Sequence, residues 1–339
     1  MITKTYLTFV AVSGLVAVPT MVPYSTGVES GNLGVPADCS KVLPACSACH
    51  IGAAPSLTSP DPDTPKTTVS TAGDVRAIAL GTSVAVTTAI SGGTPGTEGG
   101  FVCEASAGSF TAGAGTQILT NSASITHAND SSRAWTYTFD APATPGLVEL
   151  TSAANAVNGD AMTTGDHFSF AGYDRNAQSA TPIRLYALPT GVTNLGAACA
   201  DGYGNFAVLG ANHTPTVGDT GFELRLHGAR PSSTAYLWGG FNSTPTYSLP
   251  LDGIGLIGCT SYLQNIDASQ LQVTTAGADE RAEGDAVFSL PLVGAGALLG
   301  AAFDVQAGYF DPSVVSSTTG GVVRSLPLTL TNGLRITLQ

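Results

Sequence analysis

The sequence predicts an all-β fold, arranged as two antiparallel β-sandwich domains that follow an N-terminal segment of coil and short helix. Its composition is the first reason: hydrophobic residues make up 43% of the chain and charged residues only 11%, while there are 41 glycines and 20 prolines. Such a turn-rich, weakly charged composition is typical of exported β proteins. The second reason is that many short segments alternate apolar and polar residues. A length of 339 residues favours two domains.

The N-terminus predicts export. Lys4 precedes an apolar stretch over residues 6–22 that is broken by Pro19 and followed by Pro23. This pattern indicates a signal peptide over residues 1–26 rather than a spanning helix, with an uncleaved N-terminal anchor as the alternative. No later stretch is long and apolar enough to span a bilayer, so we expect no membrane span in the mature chain.

The charge balance excludes one class of partner. The chain has 12 Lys and Arg residues and 24 Asp and Glu residues, which gives a formal net charge of −12. Such a surface repels phosphate backbones, so nucleic-acid binding is not expected.

A C-x-x-C-H motif is the most specific feature of the chain. Cys46, Cys49 and His50 have the spacing of a c-type haem attachment site, in which both thiols bind the haem and the histidine ligates the iron. We therefore expect one covalent haem c, held by a haem-attachment segment and linker over residues 27–68. A thioredoxin-like redox pair would need a βαβ unit, and a zinc site would need a second ligand pair; these and a plain disulfide framework are the alternatives.

The other four cysteines form an even set, as export allows disulfides. Cys199 and Cys259 both lie in the second half and are the preferred pair. Cys39 and Cys103 are the remaining pair.

The first β-sandwich is predicted over residues 69–173. Residues 83–90 are β-branched, and Trp135, Tyr137 and Phe139 alternate with threonines so that three aromatic rings share one face. Residues 147–150 and 167–170 are further strands.

The second β-sandwich is predicted over residues 180–339. Phe222, Leu224 and Leu226 alternate with polar residues in a half-buried strand. Asn332-Gly333, between two alternating runs, is the signature of a type I′ turn and predicts a hairpin. The further predicted strands are residues 235–238, 270–274, 286–290 and 303–309.

Residues of the first half resemble a known family. The chain from about residue 34 to 170 is similar to the choice-of-anchor type V module, a reeler-like, haem-motif-bearing β-sandwich of secreted bacterial proteins. The resemblance implies an Ig-like fold with one covalent haem, exported to the periplasm or cell surface. The family's usual anchoring tail is missing, and the second half is only loosely similar to another secreted β-domain. The matching positions are 34–36, 46–50, 100–101, 126–127, 135–139, 141–142, 155, 158–160 and 165–166.

The resemblance also supplies a candidate sixth haem ligand. His127 stands at the family's Thr-His position, just before the aromatic strand. Met162 and His167 are alternatives, as is a vacant position. His213 and His227 are interpreted as solvated surface residues.

Asp160 and Asp166 stand among Asn and Gly residues and raise the question of a calcium site. Their spacing does not match an EF-hand loop. A turn capped by Asn and Asp side chains is the favoured interpretation.

Together these patterns predict an exported, monohaem, cytochrome-like protein that transfers electrons to an unknown redox or cell-surface partner. The alternative is a structural or adhesive β-sandwich protein of the cell surface, in which haem or disulfide only stabilises the fold as a covalent cross-link. An enzyme using an open haem position is the third and weakest hypothesis. No residue of the sequence is assigned a catalytic role.

Overall fold

The computed structural model describes residues 65–119, 122–160, 165–172, 181–242, 244, 246–277, 283–293, 298–315 and 324–339. This part of the chain is all-β, as predicted: strands are joined by turns and short 3₁₀ segments. No helix within these ranges is long and apolar enough to cross a membrane. The strands are β1 (Lys66–Thr71), β2 (Ala77–Ala79), β3 (Ser83–Ser91), β4 (Gly99–Ala105), β5 (Ser109–Thr111), β6 (Thr116–Ile118), β7 (Ser124–His127), β8 (Ala134–Asp140), β9 (Gly146–Ala156), β10 (His167–Phe170), β11 (Ile183–Leu188), β12 (Val192–Asn194), β13 (Val208–Ala211), β14 (Glu223–Ala229), β15 (Thr234–Gly240), β16 (Leu249–Pro250), β17 (Thr260–Ser261), β18 (Ala268–Val273), β19 (Gly284–Ser289), β20 (Ala302–Phe310) and β21 (Leu328–Thr337).

A first core lies between two sheets of the N-terminal half. One sheet has the order β1-β3-β8-β5, and the other has the order β2-β11-β9-β4-β7-β6 with β10 beside β9. Trp135, Tyr137 and Phe139 are buried on one face of β8, as their alternation predicts. They pack against Phe101 of β4, whose ring lies 4.7 Å from that of Trp135 between centroids.

One pairing in this half departs from the predicted antiparallel arrangement. Strand β11 pairs with β9 antiparallel but with β2 in parallel, through Tyr186–Ala77 to Leu188–Ala79. Parallel neighbours need a long crossover connection. Here the crossover contains β3 to β10, that is, most of the first core.

A second core lies between a five-stranded sheet, β12-β21-β20-β15-β18, and a three-stranded sheet, β13-β14-β19. The alternation of Phe222, Leu224 and Leu226 is confirmed, since all three side chains are fully buried here. The other predicted strands of this half are present as β15, β18, β19 and β20. A two-stranded ribbon, β16-β17, stands apart.

The predicted C-terminal hairpin is wrong. Asn332 and Gly333 lie inside one continuous strand, β21, which pairs with β20 along its length. The fully buried amide of Asn332 explains this: its Oδ1 accepts the Leu209 N–H at 2.8 Å, and its Nδ2 donates to the Leu209 carbonyl at 3.1 Å. Asn332 therefore pairs with β13 as a neighbouring backbone would, instead of forming a turn.

The two cores meet on opposite faces of β11. Leu185 points into the first core, and its neighbours Tyr186 and Leu188 belong to the second. Gly210 of β13 lies directly against the Tyr186 ring, where a Cβ would overlap ring atoms. The sequence-based division counted β11 with the second domain, but its backbone pairs within the sheet of the first core.

A buried arginine, Arg76, makes a second contact between the two cores. The Arg76 guanidinium, next to β2, lies 4.4 Å from the ring centroid of Phe206, beside β13. Burial lowers the pKa of Arg76 to about 10, and Asp74 opposes this shift. The cores are thus joined by a shared strand and an arginine–aromatic contact.

Candidate functional site

Several predicted site residues lie outside the described residues. These are Cys46, Cys49 and His50 of the haem motif, the alternative ligand Met162, and Cys39, the predicted disulfide partner of Cys103. His127, His167 and Cys103 are described, and each belongs to a strand of the first core.

His127 is a structural residue of the sheet. Its ring is buried at the end of β7, and the Phe101 N–H donates to Nδ1 at 3.0 Å. The Thr126 hydroxyl beside it donates to the Phe101 carbonyl at 2.6 Å. The side chains of this Thr-His pair therefore hold both backbone groups of one β4 residue.

The imidazole of His127 also fills the space above a glycine. A Cβ on Gly100 would stand 2.6 Å from Cε1 and 2.9 Å from Nε2 of the ring. The Phe101 and Trp135 rings lie 6.4 and 6.3 Å away between centroids. The His127 ring is therefore packed between β4 and the aromatic side chains of the first core.

The Asn- and Asp-rich connection after β9 forms the favoured capped turn. The Asp160 N–H donates to Oδ1 of Asn158 at 3.2 Å, and the Asn158 N–H donates to Oδ1 of Asp166 at 3.1 Å. His167 begins β10 directly after this connection, paired with Ala156.

Cys103 lies buried in the middle of β4 and has no disulfide partner among the described residues. Burial raises its pKa to about 12, although Tyr137 donates a hydrogen bond that opposes the shift. Its predicted partner, Cys39, lies outside the described residues, so the Cys39–Cys103 disulfide stays a prediction.

The Cys199–Cys259 disulfide is confirmed. The two Cα atoms are 4.9 Å apart and the residues are 60 positions apart in sequence. Leu256 and Leu330 complete a small apolar cluster around the buried sulfurs, with Trp238 packed against it. The disulfide thereby fastens the loop before β13 to the β16-β17 ribbon.

A buried cluster of charged residues lies beside the Cys199–Cys259 disulfide. The Arg324 guanidinium donates to the carbonyls of Ala200 at 2.6 Å and Ile257 at 2.9 Å, so it ties the segments beside both cysteines. The Asp311 carboxylate accepts the Gly202 N–H at 3.3 Å.

Asp201 is the unusual member of this cluster. Its carboxyl group accepts the N–H groups of Tyr203 and Asn205, each at 2.8 Å. Desolvation by burial nevertheless raises its pKa to about 7, with Asp311 adding to the effect.

Exposed apolar side chains are concentrated in the second half. Among the described residues, every exposed large hydrophobic lies between Phe241 and Leu326. The described residues of the first core include none. Large exposed apolar groups often mark contact surfaces.

The clearest exposed apolar surface is the outer face of the five-stranded sheet at its β18 edge. Leu271 and Val273 of β18 are 59% and 65% exposed, and Phe310 of β20 is 47% exposed. Leu271 lies opposite Tyr236 on β15. We call Leu271, Val273, Tyr236 and Phe310 the edge patch.

Strand β18 has its alternation reversed relative to an ordinary sandwich strand. Gln270 lies opposite the buried Leu237, so it is on the inner face, where its amide donates to the Ser289 carbonyl at 3.1 Å. Leu271 is on the outer face, toward solvent. The sequence alternation predicted a strand here, but the side of the sheet on which each residue falls depends on a pairing with β15 that alternation alone does not reveal.

The two remaining histidines, His213 and His227, differ in their exposure to solvent. His213 is half exposed and bonded to Asp219. His227, also predicted to be solvated, is instead largely covered, with its ring stacked on Tyr186 at 6.0 Å. The Tyr186 ring of β11, which covers the imidazole, is the reason for this correction.

Comparison with known proteins gives only remote structural similarity. No family model matches the chain, and no curated protein matches it. The human F-spondin reeler domain is 20% identical over 36% of this chain and 89% of its own, with a TM-score of 0.27. The adhesin InvE of Yersinia pseudotuberculosis is 13% identical over 80% of this chain and 58% of its own, with a TM-score of 0.21. A DUF4466 family protein from Parabacteroides merdae is 8% identical over 80% of this chain and 98% of its own, with a TM-score of 0.22.

The prediction of covalent haem c is contradicted. The predicted sixth ligand, His127, is enclosed by strands and packed on Gly100. Across the part of the chain that the structure describes, no group of three or more His, Cys, Asp and Glu side chains could hold a metal ion.

Proposed function

We propose that this chain is an exported structural and adhesive protein of the cell surface. In this proposal the two β-sandwich cores have an Ig-like arrangement. Together they form a stiff support. The second core carries the surface that contacts a partner. The observation that carries this proposal is the one-sided distribution of exposed apolar side chains, all of them beyond residue 240 in the described ranges.

Two further features support it. The Cys199–Cys259 disulfide belongs to an oxidising compartment, which agrees with the predicted signal peptide. The cores share β11 and are pinned by Gly210 and Arg76, so the contact surface stands on a support with little freedom to bend.

The test compares cells that produce the chain with cells that lack it. Labelling with a membrane-impermeant biotin reagent should mark the chain on intact cells, and production should increase attachment to surfaces coated with extracellular protein. Cells producing a variant with Leu271→Asp are the matched control and should attach less. The proposal is wrong if the chain remains inside the cell or if attachment is the same with and without it.

A further inference from the structure

We propose that the β18 edge binds an extended, positively charged peptide segment of another protein, which adds one strand to the five-stranded sheet. This inference rests on the proposed surface function and names the kind of partner that the edge patch would contact. Strand addition supplies affinity through main-chain hydrogen bonds and specificity through alternate side chains.

The first argument is the position of β18. It is the last strand of its sheet and pairs with β15 alone. Edge strands present unpaired N–H and C=O groups, and soluble proteins usually protect them with charges, prolines or bulges. The six residues of β18, Ala-Ser-Gln-Leu-Gln-Val, include no charge and no proline, and their register with β15 is unbroken.

The second argument is the reversed alternation. Leu271 and Val273 point outward at the edge, while the amide of Gln270, on the inner face, bonds to the Ser289 carbonyl at the end of β19. A docked strand with apolar residues at alternate positions would cover Leu271 and Val273 on one face. On the inner face, the Gln270 amide already has a partner in the Ser289 carbonyl.

The third argument is charge. Carboxylates flank both ends of β18: exposed Asp267 precedes it, and the segment of Glu283 and Asp285 lies beside Thr275 just after it. Of the described cations near these carboxylates, Arg230 is directed toward Asp311 at 3.8 Å, and His227 lies 3.1 Å from Asp285. A partner strand with lysine or arginine at its two ends complements this distribution.

The same charges disfavour a second copy of this chain. Antiparallel pairing of two β18 strands centred on Leu271 would put Asp267 of one copy opposite Thr275 of the other, beside Asp285. Like charges would then meet at both ends of the paired strands, and the net charge of −12 adds to this repulsion.

The experiment uses the purified full chain and the fluorescent peptide Lys-Lys-Thr-Val-Thr-Val-Thr-Lys-Lys in an anisotropy titration. We expect saturable binding that is at least tenfold weaker for the same peptide with glutamates at its ends, and a difference that shrinks as salt is raised. Methylating the backbone nitrogens of the five central residues should abolish binding. In hydrogen exchange, the peptide should protect amides within residues 269–273.

Variants locate the site. Leu271→Asp should weaken binding at least tenfold, whereas Val287→Asp, on an exposed β19 position of similar apolarity, should change it less than twofold. Leu271→Thr retains strand propensity and should still weaken binding, which guards against a folding defect. Asp267→Asn retains an acceptor for the Phe241 N–H and should lower affinity for the lysine-flanked peptide about threefold.

The proposal is overturned if the peptide does not bind, if the N-methylated peptide binds equally well, or if Leu271→Asp and Val287→Asp behave alike. It is also overturned if sedimentation shows a wild-type dimer that Leu271→Asp dissociates, because the occupant would then be a second copy. Normal peptide binding with no cell-attachment phenotype would reject the proposed surface function and leave this inference standing.

Discussion

Gly100 and His127 form a matched pair at the scale of single residues. The absence of a Cβ on Gly100 lets the imidazole lie flat against β4, and this placement lets Nδ1 accept the Phe101 N–H. Thr126-His127 is also the dipeptide on which the sequence-based ligand prediction depended. The same two residues have a full structural explanation without iron.

A substitution at this pair tests that explanation. Gly100→Ala would bring a methyl group within 2.6 Å of the His127 ring, and we expect it to lower the free energy of unfolding by about 1–3 kcal/mol. In a His127→Ala background the same change should cost clearly less, because the ring is gone. Urea denaturation of the four proteins gives the coupling energy.

Gly253→Ala is the control, since a Cβ there meets nothing within 4 Å. Equal effects of Gly100→Ala in both backgrounds would show that the ring and the glycine are not coupled.

The raised pKa of Asp201, which lies near the Cys199–Cys259 disulfide, predicts that the stability of the chain depends on pH. Its pKa is about 7 in the folded chain against an ordinary value of 3.8, so the folded state holds a proton that the unfolded chain releases. The resulting stabilisation is complete below about pH 3.8 and is lost as the pH rises toward 7.

The measurement is urea unfolding between pH 4 and 8. The stability of the wild type relative to Asp201→Asn should fall as the pH rises through this window and level off above pH 7. Denaturation of both proteins at each pH cancels other titrating groups. A constant difference would mean that Asp201 is ionised throughout.

At the scale of elements, the sequence predicted strands better than it predicted their partners. Alternation in residues 135–139 and 222–226 correctly gave strands and their buried faces, because each pattern is a local property. The Asn332-Gly333 hairpin was wrong because the Asn332 amide bonds to Leu209, 123 positions away. The chemistry of a turn signal is local, but this competing bond is not.

The candidate surface shows the same limit. Alternation predicts β18, but only its register with β15 decides that Leu271 points outward. Reversed alternation cannot be recognised in a sequence before the strand's neighbours are known. For haem, the sequence predicted too much. A specific short motif predicted a site that the described part of the fold does not support.

The disulfide should be the main stabiliser of the corner that carries β16 and β17. In the chain-entropy description, closing a loop of 60 residues contributes about 4 kcal/mol. The double variant Cys199→Ala, Cys259→Ala should lose about that much in urea denaturation. Reductant should lower the stability of the wild type toward that of the variant and leave the variant unchanged; equal sensitivity of both would contradict a structural role.

At the scale of the whole molecule, the junction makes the two cores depend on each other. Strand β11 has one face in each core, so unfolding either core exposes a face of the other. We expect the wild type to unfold in a single calorimetric transition.

Gly210→Ala tests this coupling. A methyl group at residue 210 would overlap the Tyr186 ring, so we expect a loss of about 2 kcal/mol or more and a broadened or divided transition. Replacing Tyr186 by Leu in the same protein should recover part of the loss by making room. A single unshifted transition for Gly210→Ala would show that the cores are not tightly packed through β11.

The Cys199–Cys259 bond also limits how far the chain can be pulled out. A cell-surface protein under tension lengthens as its strands unravel, and each released residue adds at most about 3.5 Å of contour length. The residues between the two cysteines, 60 positions apart, are bypassed by a covalent bond. Stretching of single molecules by their ends should therefore give a final length about 200 Å shorter in the oxidised chain than in the reduced one, so that the segment containing β13 to β16 never bears the load.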